Sequence, residues 1–198
     1  MAALKPVETG LTGGVQRERS DAAILASASS SAPETPPFVF ADPLSPHLAA
    51  RRAGRSIELR SIRDYVSRHE NEATSSVMSF VLVETAGGGL SPLAPRLTNA
   101  DLALALEPAI WILVAPDSLG VLHDVSATLA ALAARGRLPD HVVLCRAREP
   151  DASTGTNGAE LRELGIVTPT AIALHGDERS LDGLAETLLE QAKKALGR

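Results

Sequence analysis

Two short segments carry residue types that act on phosphate groups. In Lys5-Pro-Val-Glu-Thr-Gly10, a lysine just before a strand-end loop can offset charge on a phosphoryl group during transfer, and Thr9 can donate a hydrogen bond to a substrate. In Glu84-Thr-Ala-Gly-Gly-Gly89, a carboxylate at the tip of a buried strand can hold Mg²⁺. The glycines of this second segment let backbone N–H groups approach phosphate oxygens with no Cβ in the way.

Each of these side chains also has a purely structural interpretation. Glu84 and its glycines fit an exposed carboxylate on a tight turn, and Lys5 fits a solvated residue at an edge. Asp21 offers a second carboxylate for a metal, but Ser20-Asp21 is explained equally well as the N-cap of a helix. The residue types alone leave these alternatives open.

The remaining polar residues give weaker signals. The segment Asp42-Pro-Leu-Ser-Pro-His47 predicts a rigid loop, because each proline fixes φ, and it is a candidate for contact with a substrate. His47 lacks partners in a triad-like arrangement, so it is not predicted to act as a base. We expect Cys145 to be a buried, inert thiol and Trp111 to lie in the core. The residues interpreted as structural, exposed or helix-capping are His69, His123, Asp124, His141 and His175.

Composition excludes several classes of protein. The 198 residues (20.6 kDa) suffice for a well-buried core. A net charge of −5 and 3% aromatic residues argue against a nucleic-acid or anionic-membrane surface. The single cysteine excludes an intrachain disulfide and a multi-cysteine metal site. Since we find neither an apolar run of roughly 18 residues nor the pattern of a signal peptide, we expect a soluble, cytoplasmic protein with a single domain over residues 1–198.

Apolar runs alternate with helical patterns, which predicts an α/β fold with a mostly parallel sheet flanked by helices. The strands are expected to be covered on both faces, and ligands of such sheets bind at the carboxyl ends of the strands. Residues 8–14 read as a loop. The predicted strands are residues 1–7, 38–40, 77–83, 109–115, 141–145 and 166–174. The predicted helices are residues 20–29, 48–54, 56–72, 98–106, 121–135, 158–164 and 181–196.

Several of these segments together resemble the dethiobiotin synthetases, enzymes of biotin biosynthesis. The segments occur in that family's order and at compatible spacings, and the likeness covers nearly the whole chain. They are Lys5-Pro-Val-Glu-Thr-Gly10, Arg19-Ser-Asp21, Phe40-Ala-Asp-Pro-Leu-Ser-Pro-His47, Val83-Glu-Thr-Ala-Gly-Gly88 with Pro92-Leu93, and residues 110–115 followed by Leu119-Gly120.

The resemblance implies a P-loop-type α/β fold, a homodimer, and ATP and Mg²⁺ as reactants. In that family one amine of 7,8-diaminononanoate captures CO₂ as a carbamate. ATP phosphorylates the carbamate to a mixed anhydride, and the second amine then closes the cyclic urea of dethiobiotin, leaving ADP and phosphate. The protein's task in such a reaction is mainly placement and charge stabilisation.

The resemblance also implies a role for individual residues. Lys5 would be the catalytic lysine, beside the carbamate and the γ-phosphate of ATP. Asp21 and Glu84 would contact ATP and hold Mg²⁺. The other residues carried over by motif are Thr9, Ser45 and His47 at the substrate end, and Thr85, Ala86 and Gly87 along the phosphate site.

The sequence departs from the family pattern in three places. The Gly-rich loop ending in Gly-Lys-Thr does not occur, and we expect about 30 residues, one strand–loop–helix unit, to be absent before Met1. The Leu-Gly-x-x-Asn-His segment that reaches the substrate across the dimer appears as Leu119-Gly-Val-Leu-His-Asp124. The adenine-reading Asn-Asp appears as Cys145-Arg146. Because loss of a central strand exposes two strand edges, we expect a poorly soluble chain or one that needs a partner.

Different functions remain compatible with these features. The first is an ATP-dependent cyclo-ligase of biotin synthesis, favoured because Lys5, Thr9, Asp21 and Glu84 are all present. The second is a non-catalytic relative used for binding or assembly, favoured by the missing phosphate loop. A weaker third is a different P-loop-like amidoligase or a relative of chromosome-partition proteins. We favour the first.

Overall fold

The computed structural model describes residues 1–12, 20–30, 35–73, 80–166, 171–174 and 178–195. Two compact units, Met1–Leu106 and Glu107–Arg198, each contain parallel strands and helices. The expected α/β class, a mostly parallel arrangement flanked by helices, is confirmed. A single domain over residues 1–198 stays a prediction.

The first unit contains two parallel strand pairs, a hairpin and four described helices. Strand β1 pairs with β4, and β2 with β3, while β5 and β6 form an antiparallel hairpin. The strands are β1 (Ala2–Leu4), β2 (Val7–Thr9), β3 (Phe38–Phe40), β4 (Val81–Val83), β5 (Pro92–Ala94) and β6 (Leu97–Thr98). The helices are α1 (Asp21–Ala28), α2 (Pro46–Arg52), α3 (Leu59–Ala73) and α4 (Asn99–Leu106).

The start of the chain differs from the prediction of one strand followed by a loop. Two short strands stand there, separated by Lys5 and Pro6. Proline has no N–H to donate to a ladder, and the chain changes partner at this point, from β4 before Pro6 to β3 after it. The prediction of a loop over residues 8–14 is therefore wrong at Glu8 and Thr9. The β5–β6 hairpin was not predicted at all, since its two short strands lack an alternating pattern.

The core of the first unit lies between its strands and helix α3. The helical spacing that predicted this helix places Ile62, Tyr65 and Val66 on one buried face. They pack with Leu4 of β1 and Phe40 of β3 in the same cluster. The apolar face of α3 therefore supports the strands whose ends carry Lys5 and Thr9.

The second unit is a three-stranded parallel sheet in the order β7-β8-β9 with three described helices. Its core includes Val125, Val142, Leu144 and Leu161. The strands are β7 (Ile112–Asp117), β8 (His141–Arg146) and β9 (Ala171–Leu174). The helices are α5 (Val121–Ala133), α6 (Asn157–Glu163) and α7 (Glu178–Ala195).

Not every strand is covered on both faces as expected. Strand β8 is buried over its first four residues, but Leu82 of β4 is 43% exposed and Val114 of β7 is 60% exposed. In the described part of the chain, β4 pairs with β1 alone and β7 with β8 alone. Among these residues each of the two strands therefore stands at the edge of its sheet.

Two of the residues expected in the core are only half-buried. Trp111 precedes β7, with the Arg137 guanidinium 6.0 Å from its ring centroid. Cys145 is the next-to-last residue of β8, and its thiol donates to the Ala115 carbonyl oxygen at 3.5 Å.

The histidines interpreted as structural or exposed separate into two groups. His69 and His141 are buried, with contacts to the Tyr65 carbonyl oxygen at 2.9 Å and the Gln191 side-chain oxygen at 2.6 Å. His123 and Asp124 are exposed in the first turn of α5. His175 lies outside the described residues, as do residues 13–14 of the predicted loop and parts of the strands predicted at 77–83 and 166–174. The described helices include none long and apolar enough to cross a membrane.

Ile62 gives a test of the first unit's core. Its side chain is fully buried, so Ile62→Ala should lower the free energy of unfolding by about 2–5 kcal/mol through lost burial and a residual cavity. Arg60→Ala, on the exposed face of the same helix, should change it by no more than about 0.5 kcal/mol. Urea denaturation measures both, and equal losses would contradict the placement of Ile62 in the core.

Candidate functional site

A cavity of about 200 Å³ opens in the first unit at the carboxyl ends of its strands. Lys5 and Glu84 directly follow the paired strands β1 and β4, so parallel pairing of Leu4 with Val83 brings these two residues to the same edge. The sequence-predicted residues that line the cavity are Lys5, Thr9, Asp21, Ser45, Ala86 and Gly87. Its remaining lining residues are Glu8, Leu44, Pro46 and Ser91.

The centre of this site is a lysine held by two carboxylates. Lys5 Nζ lies 2.5 Å from Glu84 Oε1 and 2.9 Å from Asp21 Oδ2. It also donates to the Thr85 carbonyl oxygen at 3.3 Å. Lys5 directly follows β1, Glu84 directly follows β4, and Asp21 is the first residue of α1, so the fold brings together residues that are distant in sequence.

The electrostatics of the cluster favour a charged lysine. Burial by itself lowers the pKa of Lys5, but the hydrogen bonds and charges of Glu84 and Asp21 outweigh it and raise the pKa above its ordinary value. The lysine side chain is 6% exposed, whereas those of Asp21 and Glu84 are 57% and 46% exposed. The carboxylates thus hold the buried cation and still face solvent with part of their surface.

Glu8 fixes the helix that carries Asp21. Its Oε1 accepts a hydrogen bond from the backbone N–H of Asp21 at 2.6 Å, and its Oε2 one from Ala22 at 3.4 Å. The Ser20 hydroxyl accepts a third from Ala23 at 3.1 Å, so the N-cap interpretation of Ser20 is confirmed. Burial raises the pKa of Glu8, against the opposing effect of these backbone N–H groups. The start of α1 is therefore tied to β2.

The Gly-rich loop after β4 is held from behind by a buried asparagine. Asn99 Nδ2 donates to the carbonyl oxygens of Ala86, Gly87 and Gly88 at 2.9, 3.3 and 2.9 Å. Gly87 has φ +85°, and a Cβ there would lie 2.9 Å from Ser91 Oγ. A side chain at position 87 would therefore strain the backbone and force the Ser91 side chain to shift.

The predicted substrate loop borders the same cavity. Gly10 donates its N–H to the Asp42 carbonyl oxygen at 3.1 Å, which joins this loop to the end of β2. Ser45 and Pro46 line the cavity directly. His47 contacts Ser45, with Nδ1 3.1 Å from Oγ. The roles that the resemblance implies for these residues stay predictions.

Two acidic side chains of the cluster form a donor set that fits Mg²⁺ bound to a nucleotide. Among the described residues there is no group of three or more His, Cys, Asp or Glu side chains that could hold a metal ion. Mg²⁺ in phosphoryl-transfer sites, however, usually takes one or two carboxylates and completes its shell with phosphate oxygens and water. Asp21 and Glu84, half-exposed and converging on one ammonium group, match that requirement.

Sequence reasoning assigned no role to Glu8 or Asn99. Glu8 stands between two predicted site residues in a segment read as loop, so the strand that buries it was not recognised. Asn99 falls at the first residue of α4, where a polar residue is ordinary. Burial distinguishes Glu8 and Asn99 from ordinary surface residues, since they are 5% and 2% exposed. The sequence alone does not show this burial.

Comparison with known proteins gives a consistent family. The model of the family described as AAA domain matches residues 1–181. The chain is 37% identical over 180 residues to the ATP-dependent dethiobiotin synthetase BioD of Anaeromyxobacter sp. (strain Fw109-5), covering 87% of this chain and 75% of that protein. It is 39% identical over 139 residues to BioD of Ralstonia nicotianae (68% and 58% covered) and 33% identical over 174 residues to BioD of Rhodopirellula baltica (80% and 66% covered).

The Lys5 cluster predicts a specific loss of stability in alkali. A pKa raised by folding means that the ion pairs contribute fully below the ordinary value of 10.5 and are lost as pH rises through the higher folded-state pKa. The free energy of unfolding of the wild-type chain should therefore fall more steeply above about pH 10 than that of Lys5→Met. Urea denaturation across this range measures the difference, and parallel pH profiles would contradict a paired ammonium at Lys5.

Proposed function

The chain belongs to the AAA domain family and to the ATP-dependent dethiobiotin synthetases, and on this premise we propose how it acts. It is an ATP-dependent cyclo-ligase that forms the ureido ring of dethiobiotin from 7,8-diaminononanoate and CO₂ in biotin biosynthesis. The observation that carries the assignment of residues is the Lys5 ammonium between Asp21 and Glu84 at the edge of an open cavity.

The reaction needs a fixed positive charge where the carbamate meets the γ-phosphate. One amine attacks CO₂ and loses a proton to give the carbamate. A carbamate oxygen then attacks the γ-phosphorus of ATP, ADP leaves, and a mixed anhydride remains. The second amine attacks the carbamoyl carbon, phosphate leaves, and the cyclic urea is complete.

Lys5 supplies that charge without having to be recruited at the moment of reaction. Its ammonium is already desolvated and oriented, so it offsets charge on the transferring oxygens with little reorganisation. Thr9 and Ser45 line the same cavity, and in this proposal their hydroxyls hydrogen-bond the substrate, with His47 in contact with Ser45. Thr85, Ala86 and Gly87 border the phosphates of ATP.

Asp21 and Glu84 are the residues that would hold Mg²⁺. The ion would supply charge neutralisation on the phosphate oxygens of ATP. Both carboxylates keep part of their surface open while bound to Lys5, so an ion and the lysine can share them. In the absence of the nucleotide, Lys5 balances part of their negative charge.

The proposal includes a homodimer that works in the cytoplasm on small molecules. The residues that the resemblance places across the dimer begin with Leu119, which is 84% exposed in this chain. His123 and Asp124 of the same segment are also exposed. An exposed leucine next to exposed polar residues supports the proposal that the second subunit covers Leu119 in the dimer.

Turnover tests the assignment directly. Chain incubated with 7,8-diaminononanoate, bicarbonate, Mg²⁺ and ATP should form dethiobiotin and ADP in equal amounts. Lys5→Met should lower kcat by about a hundredfold or more, because it removes the charge offset at the reacting oxygens. Lys193→Met, on the exposed ion pair of α7, is the matched control and should leave kcat unchanged.

The outcomes separate the candidate functions. ATP binding without dethiobiotin formation would favour a binding module over a ligase. Turnover with another amine in place of 7,8-diaminononanoate would favour a different amidoligase. Full activity in Lys5→Met would remove the lysine from the mechanism.

The two carboxylates predict a characteristic dependence on Mg²⁺. Asp21→Asn keeps the shape of the side chain but removes its charge, and should raise the Mg²⁺ concentration for half-maximal rate about tenfold or more. Excess Mg²⁺ should restore most of the rate in Asp21→Asn but none in Lys5→Met. Calorimetry of Mg²⁺–ATP binding gives a readout independent of turnover.

The control for this prediction is another half-exposed carboxylate. Asp64→Asn on α3 removes a charge that pairs only weakly with Arg60, at 3.8 Å. It should leave the Mg²⁺ dependence at the wild-type value. An unchanged Mg²⁺ dependence in Asp21→Asn would assign the ion to other groups.

A further inference from the structure

Asn99 stands directly behind the Gly-rich loop and takes no part in the chemistry described so far. It is 2% exposed, and its amide nitrogen donates to the carbonyl oxygens of three consecutive residues, 86 to 88. Within the described residues its Oδ1 is buried and has no hydrogen-bond partner. A buried amide that satisfies only its donor side is costly, so the contact to the loop is the reason for an asparagine at this position.

The three carbonyl contacts determine where the loop's N–H groups point. A trans peptide is planar, and the N–H of one residue lies opposite to the C=O of the residue before it. Carbonyl oxygens turned toward Asn99 therefore turn the N–H groups of Gly87, Gly88 and Gly89 away from it. In the described part of the chain, no acceptor is paired with these three N–H groups.

The free N–H groups belong to a segment that begins with a residue in the left-handed region. Successive N–H donors around a residue in the left-handed region, as Gly87 is at φ +85°, form anion-binding concavities. Ala86, Gly87 and Ser91 line the cavity that also holds Lys5. A single amide thus fixes one side of the loop and leaves the donors of the other side available to a ligand.

We infer that Asn99 is a positioning residue that presets the Gly87–Gly89 N–H groups to bind a phosphoryl anion. The identity of that anion, a phosphate of ATP, rests on the proposed function. Asn99 touches neither the substrate nor the nucleotide. It acts through the loop. Because the loop is already ordered before the ligand binds, binding does not have to bear the entropy cost of ordering it.

Two substitutions separate positioning from simple stability. Asn99→Leu has the same branching at Cγ, removes the amide donors, and also removes the unpartnered oxygen. Asp101→Ala, on the same helix, removes the acceptor of the Thr98 N–H and hydroxyl at 2.8 and 2.6 Å and keeps the Asn99 amide. Both should change the melting temperature, but only Asn99→Leu should change anion affinity.

The affinity is measured by ¹⁵N NMR with inorganic pyrophosphate and by calorimetry with Mg²⁺–ATP. In the wild-type chain, the amide signals of Gly87, Gly88 and Gly89 should shift on addition of pyrophosphate. Asn99→Leu should raise the Kd of both probes at least tenfold, and in turnover it should raise the KM for ATP more than it lowers kcat. Asp101→Ala should leave the Kd and KM values at those of the wild-type chain. If Asn99→Leu does not fold, Asn99→Ser is used instead. Because serine retains one O–H donor, its Kd should be higher than that of the wild-type chain but by less than tenfold.

Each result decides the question. Glycine amides that do not respond to either probe in the wild-type chain, or wild-type affinity in a folded Asn99 variant, would overturn the inference. Amides that respond and depend on Asn99 in a chain that forms no dethiobiotin would overturn the proposed function and leave the inference intact.

Discussion

The Lys5 ammonium group is almost fully buried, and desolvation alone would favour loss of its proton. The carboxylates of Asp21 and Glu84 reverse that preference and raise the pKa of Lys5, so at neutral pH the site contains a cation with two half-exposed anions beside it. Removal of either anion would leave the buried charge with one partner, and removal of the lysine would leave two carboxylates in mutual repulsion. The strands, the capped helix and the Gly-rich loop all serve to keep these three groups in contact.

The geometry of that contact follows from how parallel strands end. Leu4 lies opposite Val83, so the next residue on each strand, Lys5 and Glu84, leaves the ladder at the same level. The third group reaches the site from a helix whose first N–H groups are bound by Glu8. The backbone N–H groups of Asp21 and Glu84 are hydrogen-bonded to Glu8 and to the Leu4 carbonyl oxygen, which limits the entropy lost when the cluster forms.

The sequence was sufficient for the α/β class and most helix positions, because apolar runs are local patterns, and the resemblance to the dethiobiotin synthetases indicated the residues that meet around Lys5. The sequence was not sufficient for the partner change at Pro6, the exposed edges at Leu82 and Val114, or the burial of Glu8 and Asn99. These depend on which strands pair and on what covers them, and a partner distant in the chain leaves no local signature. The β5–β6 hairpin was missed for the related reason that its strands are too short to show a period.

The change of partner at Pro6 has a mechanical consequence for the lysine beside it. The main chain pairs with β4 before the proline and with β3 after it, so the backbone on both sides of Lys5 is held in strand pairing. The reach of the lysine is therefore restricted to rotation about the four carbon–carbon bonds of its own stem. Any adjustment of the ammonium group between Asp21 and Glu84 therefore involves the side chain alone, and the positive charge stays at the edge of the cavity.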